Sequence, residues 1–188
     1  KQIVLHNMTP GTAGNIDIIK GFFYFQYIVN DGMAFGINFN FGNAALVNKI
    51  IFICISIVGA VIISWVYFKN YKKLNYLMRA SLGMMLAGCL GNLIDRAFYT
   101  QNYLNSFNGL IDTYGVVDFI AFDFGSYSFP RFNIADASLV IGTILIVVYL
   151  IISEISESKA KRKLEEKNEP KEKIVSKDEQ IMNEDHQE

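Results

Sequence analysis

Outside a charged C-terminal stretch the acidic residues are few: Asp17, Asp31, Asp95, Asp112, Asp118, Asp123, Asp136 and Glu154. Two of them have settings that could do chemistry. Asp118 lies in Val116-Val117-Asp118-Phe119, and Asp136 closes Phe132-Asn133-Ile134-Ala135-Asp136, which opens the last apolar run. Carboxylates are expensive near lipid and tend to mark function there. Two that converge can share one proton and activate a water. In such a pair the ionised member takes a proton from water, and the protonated one polarises the scissile carbonyl of a peptide. Proximity and a low dielectric drive the two acidities apart. Neither a metal nor a covalent intermediate is needed, so no cofactor is expected.

Other chemistries lack their residues. The two histidines are His6, with no carboxylate or cysteine cluster beside it, and His186, in the tail. This leaves no Ser-His-Asp or Cys-His arrangement. No His, Cys or carboxylate cluster has the spacing zinc requires, and no Gly-rich loop precedes a Lys-Ser or Lys-Thr pair. Plainer roles compete for the remaining polar residues. Asn133 or Asp136 can cap a helix and complement its dipole. Asp118 can be an interfacial or turn aspartate. Asp95 adjoins Arg96 in Gly91-Asn92-Leu93-Ile94-Asp95-Arg96, where a local ion pair or hydrogen bond would fix the helix end. Asn92 lies one helical turn before Arg96, able to hold a substrate backbone or to link two helices.

The elements that must position these groups are membrane spans. Hydrophobic residues make up 52% of the 188 and aromatics 14%, too apolar for an average soluble domain. About half of the charged residues follow Ser156, so the rest of the chain is more lipid-like still. The net charge of -1 gives no sign of nucleic-acid binding. Three runs, near 46–68, 76–94 and 134–152, approach the roughly 20 apolar residues that a bilayer requires. Trp65, Tyr67 and Phe68 form an interfacial belt at the end of the first. Lys69, Lys72, Lys73 and Arg79 lie between the first two runs, and Lys159-Ala160-Lys161-Arg162-Lys163 follows the third. By the positive-inside rule both are cytoplasmic, which puts 1–45 and 97–133 outside. Residues 1–45 carry no signal peptide, so an upstream helix is expected, giving four spans with both ends cytoplasmic.

Residues 20–40 are aromatic and β-branched around Asn30-Asp31-Gly32, which predicts a hairpin or small sheet on the outer membrane surface. Residues 97–131 read as an irregular external loop. Residues 157–188 read as an extension of the last helix that frays into a disordered cytoplasmic tail. Cys54 and Cys89 lie in apolar runs and read as small buried hydrophobes. Leu86-Ala87-Gly88-Cys89 spells a lipobox, but lies mid-chain, where small residues better serve close helix packing. The fold class expected is an α-helical integral membrane protein with a small extracytoplasmic β-rich segment.

Four ordered motifs then resemble one family, bacterial lipoprotein signal peptidase (signal peptidase II), an intramembrane aspartyl protease. They are Tyr27-Ile28-Val29-Asn30-Asp31-Gly32-Met33-Ala34-Phe35-Gly36, Gly91 to Arg96, Val116 to Phe119 and Phe132 to Asp136, and the likeness runs from Lys1 to about Ile152. The resemblance implies a catalytic pair at Asp118 and Asp136, with Asn30, Asn92, Asp95, Arg96 and Asn133 in support. Lys1 would end the family's Asp-Gln-x-x-Lys motif. It also implies the substrate, a prolipoprotein whose cysteine bears a diacylglyceryl group, cleaved just before that cysteine. Membrane lipids are the other expected partners, and a monomer is expected. Two features depart from the family: a longer segment between Arg96 and Val116, and the charged tail. The competing reading is a non-catalytic small membrane protein, a transporter subunit or binding partner, whose polar residues stabilise helix contacts.

Overall fold

The computed structural model describes residues 1–32, 44–108 and 115–184. The chain divides into two compact units, Lys1–Ile146 and Val147–Glu188, and everything that builds the site lies in the first. In order the elements are α1 (Gln2–Asn7), a 3-10 turn (Thr12–Gly14), β1 (Ile16–Ile19), β2 (Phe23–Asn30), α2 (Ala44–Asn70), α3 (Tyr76–Phe98), α4 (Gln101–Asn108), β3 (Val116–Phe124), β4 (Tyr127–Ser128) and α5 (Ile134–Glu184). Among the described residues three helical stretches are long and apolar enough to cross a membrane: Val47–Asn70, Tyr76–Phe98 and Ile134–Lys163. They match the three expected runs and extend each at its C-terminal end. With the sheet, they make an α-helical membrane protein carrying a small β-rich segment.

The least apolar of the three is α3, and it contacts both of the others. Asn75 caps its start, accepting from the Met78 N–H at 2.8 Å. Against α2, the Cys89 thiol donates to the Ser56 carbonyl at 3.6 Å. Against α5 the approach is closer. A Cβ on Gly88 would strike the Ala135 carbonyl and meet Leu139 Cγ at 2.7 Å, so only glycine lets the backbones close there. The small residues of Leu86-Ala87-Gly88-Cys89 thus serve helix packing, as small-residue seams do in lipid.

The four strands form one antiparallel sheet in the order β1-β2-β3-β4. The hairpin turn between β1 and β2 falls at Lys20–Phe22, not at Asn30-Asp31-Gly32. Asn30 instead ends β2, and its side-chain oxygen accepts from the Gly32 N–H at 2.9 Å in a local Asx-type turn. The rest of that predicted segment, from residue 33, lies outside the described residues. The stretch 97–131 is not an irregular loop either, since it supplies α4, β3 and β4. The Val, Ile and Phe of β3 favour a strand, but the glycines and polar residues scattered through the wider stretch concealed it.

One irregularity in the sheet matters for function. Phe25 pairs with Ile120, but Ile28 pairs with Asp118, so β2 spends one extra residue between them. Side chains alternate faces along a strand, so a one-residue slip moves everything beyond it to the other face. Without the bulge Asn30 would point away from Asp118. With it, Asn30 lies opposite Val116 on the face that Asp118 shares. The neighbouring Val117 points the other way, into a small core with Val4, Leu5, Met8, Tyr27, Tyr99 and Leu104, built by α1, α4 and the two central strands.

Candidate active site

α5 begins with a reciprocal cap. The Asn133 side-chain oxygen accepts from the Ala135 N–H at 2.7 Å and the Asp136 N–H at 3.3 Å. Asp136 Oδ2 returns to the Asn133 N–H at 3.0 Å. This is the capping-box pattern, and it places a carboxylate at the positive end of the helix dipole. The capping role weighed from the sequence is therefore real, and it does not exclude chemistry. The same Asn133 uses its amide hydrogens on Asp118 Oδ1 at 2.6 Å and on Asn92 Oδ1 at 3.2 Å. One residue thus touches both acids, Asp118 through its side chain and Asp136 through its backbone.

The remaining donors complete a closed set. Asn30 donates to Asp118 Oδ2 at 2.9 Å, and Asn92 donates to Asp136 Oδ1 at 2.6 Å. The Asn92 oxygen also accepts from Lys1 Nζ at 2.9 Å. A lysine ammonium only donates, so it fixes the oxygen of Asn92 toward itself and turns the amide hydrogens toward Asp136. Asp118 and Asn133 are almost fully buried. Burial pushes the Asp118 carboxyl up to about 6; the Asn30 and Asn133 bonds oppose this, and the nearby Asp136 charge adds to it.

Asp95 and Arg96 do not pair with each other in the way the sequence predicts. The Asp95 carboxylate forms its ion pair with Lys1 at 2.7 Å and accepts from the Val117 N–H at 3.1 Å. Consecutive residues on a helix point in different directions, and Lys1 and the adjacent strand supply the donors that Asp95 faces. Asp95 therefore holds β3 one residue before Asp118. Arg96 donates to the Gly32 carbonyl at 3.1 Å and lies over the Phe52 ring at 5.3 Å. Gly115 leads into β3 so close to Asn30 that a Cβ there would strike the Asn30 carbonyl. The eight polar residues singled out in the sequence thus gather in one network.

Beside the network lies a cavity of about 350 Å³, walled by Asn30, Arg96, Val116, Asp118, Phe129, Pro130, Arg131, Phe132 and Asp136, and floored by Ala137, Leu139, Val140 and Ile141 of α5. The lining thus combines both acids with the aliphatic side chains of Leu139, Val140 and Ile141. Among the described residues, no group of three or more His, Cys, Asp or Glu is placed to hold a metal ion. A second cluster escaped the sequence reading. Arg131 donates to Gln26 Oε1 at 2.8 Å, to Asp123 Oδ1 at 3.3 Å, to the Phe129 carbonyl at 3.0 Å and to the Tyr24 hydroxyl. The only signal for it was the odd spacing of Asp118 and Asp123, which puts them on opposite faces of a strand.

Comparison with known proteins agrees with this arrangement. The profile of the family described as Signal peptidase (SPase) II matches residues 1–152. A lipoprotein signal peptidase of Clostridium novyi (strain NT) is 36% identical over 137 residues, covering 72% of this chain and 78% of that protein. Two solved bacterial membrane enzyme structures, obtained by the in meso method at 2.3 and 1.9 Å resolution, share the fold. The first superposes with a TM-score of 0.61 at 31% identity, covering 81% of this chain and 79% of its own. The second gives 0.58 at 32%, covering 79% and 81%.

Proposed function

Since this chain belongs to the signal peptidase (SPase) II family, we propose that Asp118 and Asp136 are its catalytic pair and that Asn30, Asn92, Asp95, Arg96, Asn133 and Lys1 hold them in place. The protein is an aspartic peptidase of the bacterial membrane that removes signal peptides from prolipoproteins. The observation that carries the assignment is the shared Asn133, which donates to both carboxylates from one residue.

The two environments divide the labour. Asp118, buried and raised to about 6, is the acid that protonates or polarises the scissile carbonyl. Asp136, at a helix N-terminus with donors on both oxygens, is the base that takes the proton from the attacking water. The proton released by water goes to Asp136, which passes it to the leaving amine as the C–N bond of the tetrahedral intermediate breaks, and Asp118 ends with its own proton. The substrate is a prolipoprotein bearing a diacylglyceryl group on its cysteine, cut immediately before that cysteine. The aliphatic part of the lining suits the lipid-borne segment, while the peptide bond reaches the two acids. Both acids come from one chain, so a monomer suffices.

The active site faces the extracytoplasmic side, with the C-terminal tail in the cytoplasm. This rests on the basic loop after α2 and the basic segment after the third span. A cysteine placed at Asn108 should react with an impermeant thiol reagent from outside, and one placed at Lys72 should not; the reverse pattern would refute the orientation. The chemistry is tested by incubating the full-length protein with a diacylglyceryl-modified prolipoprotein. Cleavage before the cysteine is expected, lost in Asp118→Asn and in Asp136→Asn. Retained cleavage in either variant would sink the assignment.

A further inference from the structure

We infer that Arg131 is a positioning residue for this reaction, resting on the dyad reading above: it clamps the segment that carries Asn133 and Asp136 onto the sheet that carries Asp118. The two carboxylates come from different elements. Asp118 is mid-strand in β3, and Asp136 is in the first turn of α5, so their relation depends on the connector from Phe129 to Asn133. That connector pairs with β3 at both of its ends, and the Phe129 N–H donates to the Phe122 carbonyl at 2.9 Å. The Phe132 carbonyl accepts from the Phe119 and Ile120 N–H groups at 3.1 and 2.8 Å, and the Phe132 N–H donates to the Ile120 carbonyl at 3.2 Å. Both attachments run to β3, and a connector held along one strand can still hinge about that strand.

Arg131, between these two attachments, supplies a tie to β2 as well. Its planar guanidinium is a rigid fork of donors. It reaches Gln26 and Tyr24 on β2, Asp123 on β3 and the Phe129 carbonyl within the connector itself. The acceptors are fixed in turn, because the Tyr24 hydroxyl donates to Asp123 Oδ2 at 2.7 Å and Gln26 is buried. The clamp thereby spans two strands and one loop. Two residues later Asn133 makes the bonds to Asp118, Asn92 and Asp136. Displacing the connector would move Asn133 and open the pair, since misplacement of about 1 Å can cost on the order of a hundredfold in rate.

The test is steady-state cleavage of the lipidated prolipoprotein by the full-length protein, at a temperature where melting curves show every variant folded. Arg131→Met should lower kcat about tenfold to a hundredfold while KM stays within about twofold. Tyr24→Phe should cost less, and Tyr24→Phe with Arg131→Met should cost no more than Arg131→Met alone, because both act through one clamp. If Arg131→Met does not fold, Arg131→Lys, which keeps one donor group but not the fork, carries the same test with a smaller kcat loss. A raised KM with kcat unchanged would make Arg131 a substrate contact and overturn the inference. A lower melting temperature with both constants unchanged would make it structural only and also overturn it. The Asp118→Asn control separates the two levels. If wild type fails to cleave, or if Asp118→Asn cleaves, the dyad reading falls and this inference with it; if both controls behave, only the role of Arg131 is at stake.

Discussion

Asp118 and Asp123 lie on the same strand, on its opposite faces. Asp118 is buried and bonded to the neutral amides of Asn30 and Asn133, which stabilise its charge less than burial penalises it, so its carboxyl rises to about 6. Asp123 is partly exposed beside Arg131, and the hydrogen bond from Tyr24, followed by the Ser128 contact and the Arg131 charge, holds its carboxyl below the usual range. The pH dependence of stability has opposite sign at the two. A raised acid binds more protons in the folded state, so Asp118 favours folding at low pH and loses that contribution as pH climbs from about 4 to about 6. A lowered acid contributes above the ordinary carboxylate range and loses that contribution as pH falls. The same side chain on one strand is thus a candidate proton donor at one position and a structural ion at the other, and the partners decide which.

The sharpest way to break this contrast is to neutralise each acid in turn. Asp118→Asn should reduce cleavage of a lipidated prolipoprotein by at least about a thousandfold, within the range a positioned acid or base supplies, as read by mobility shift of the product. Asp95→Asn comes next and tests a third setting, a buried carboxylate with a charged partner. It leaves Lys1 without its ion pair and gives the Val117 N–H a neutral acceptor in place of a charged one. About 2–3 kcal/mol of stability should be lost, below the full cost of breaking a buried pair because Lys1 retains some exposure, and activity should fall with it; thermal unfolding in detergent measures the first.

A smaller effect concerns pH. The rate governed by kcat/KM should fall as pH rises through about 6, where Asp118 loses its proton. The Asn30 bond favours the ionised form, so Asn30→Ala should move this alkaline limb upward, by roughly half a unit. A downward shift, or none, would show that another group sets the limb. Smallest of all, Asp123→Asn should leave cleavage within about threefold of wild type, because Arg131 keeps Gln26, Tyr24 and the Phe129 carbonyl and partly exposed ion pairs carry little energy. A loss as large as that of Asp118→Asn would erase the distinction between the two ends of the strand.

The apolar spans and the polar motifs at their ends were legible in the sequence because both signals are local. Length and hydropathy mark a helix in lipid, and Asn133-x-x-Asp136 announces a cap. The partners were not legible. Asp95 stands next to Arg96 in sequence yet pairs with Lys1, since side-chain direction on a helix outweighs adjacency. Strand β3 carries a local signal in its Val, Ile and Phe residues, but it was masked by the polar, glycine-containing stretch around it. The bulge that turns Asn30 toward Asp118 has no local marker, because it is an offset between two strands. The Arg131 clamp draws on residues around 24, 26, 123 and 131, which only the finished sheet brings together.

Asn133 begins a helix and joins two acids at once. The first turn of α5 and the geometry of the two carboxylates therefore form one cooperative unit, and on the proposed dyad each molecule whose first turn is frayed is an idle one. The exchange rates of the Ala135 and Asp136 amides, both bonded to the Asn133 side chain, would then count the fraction of the population ready to work before any substrate is added.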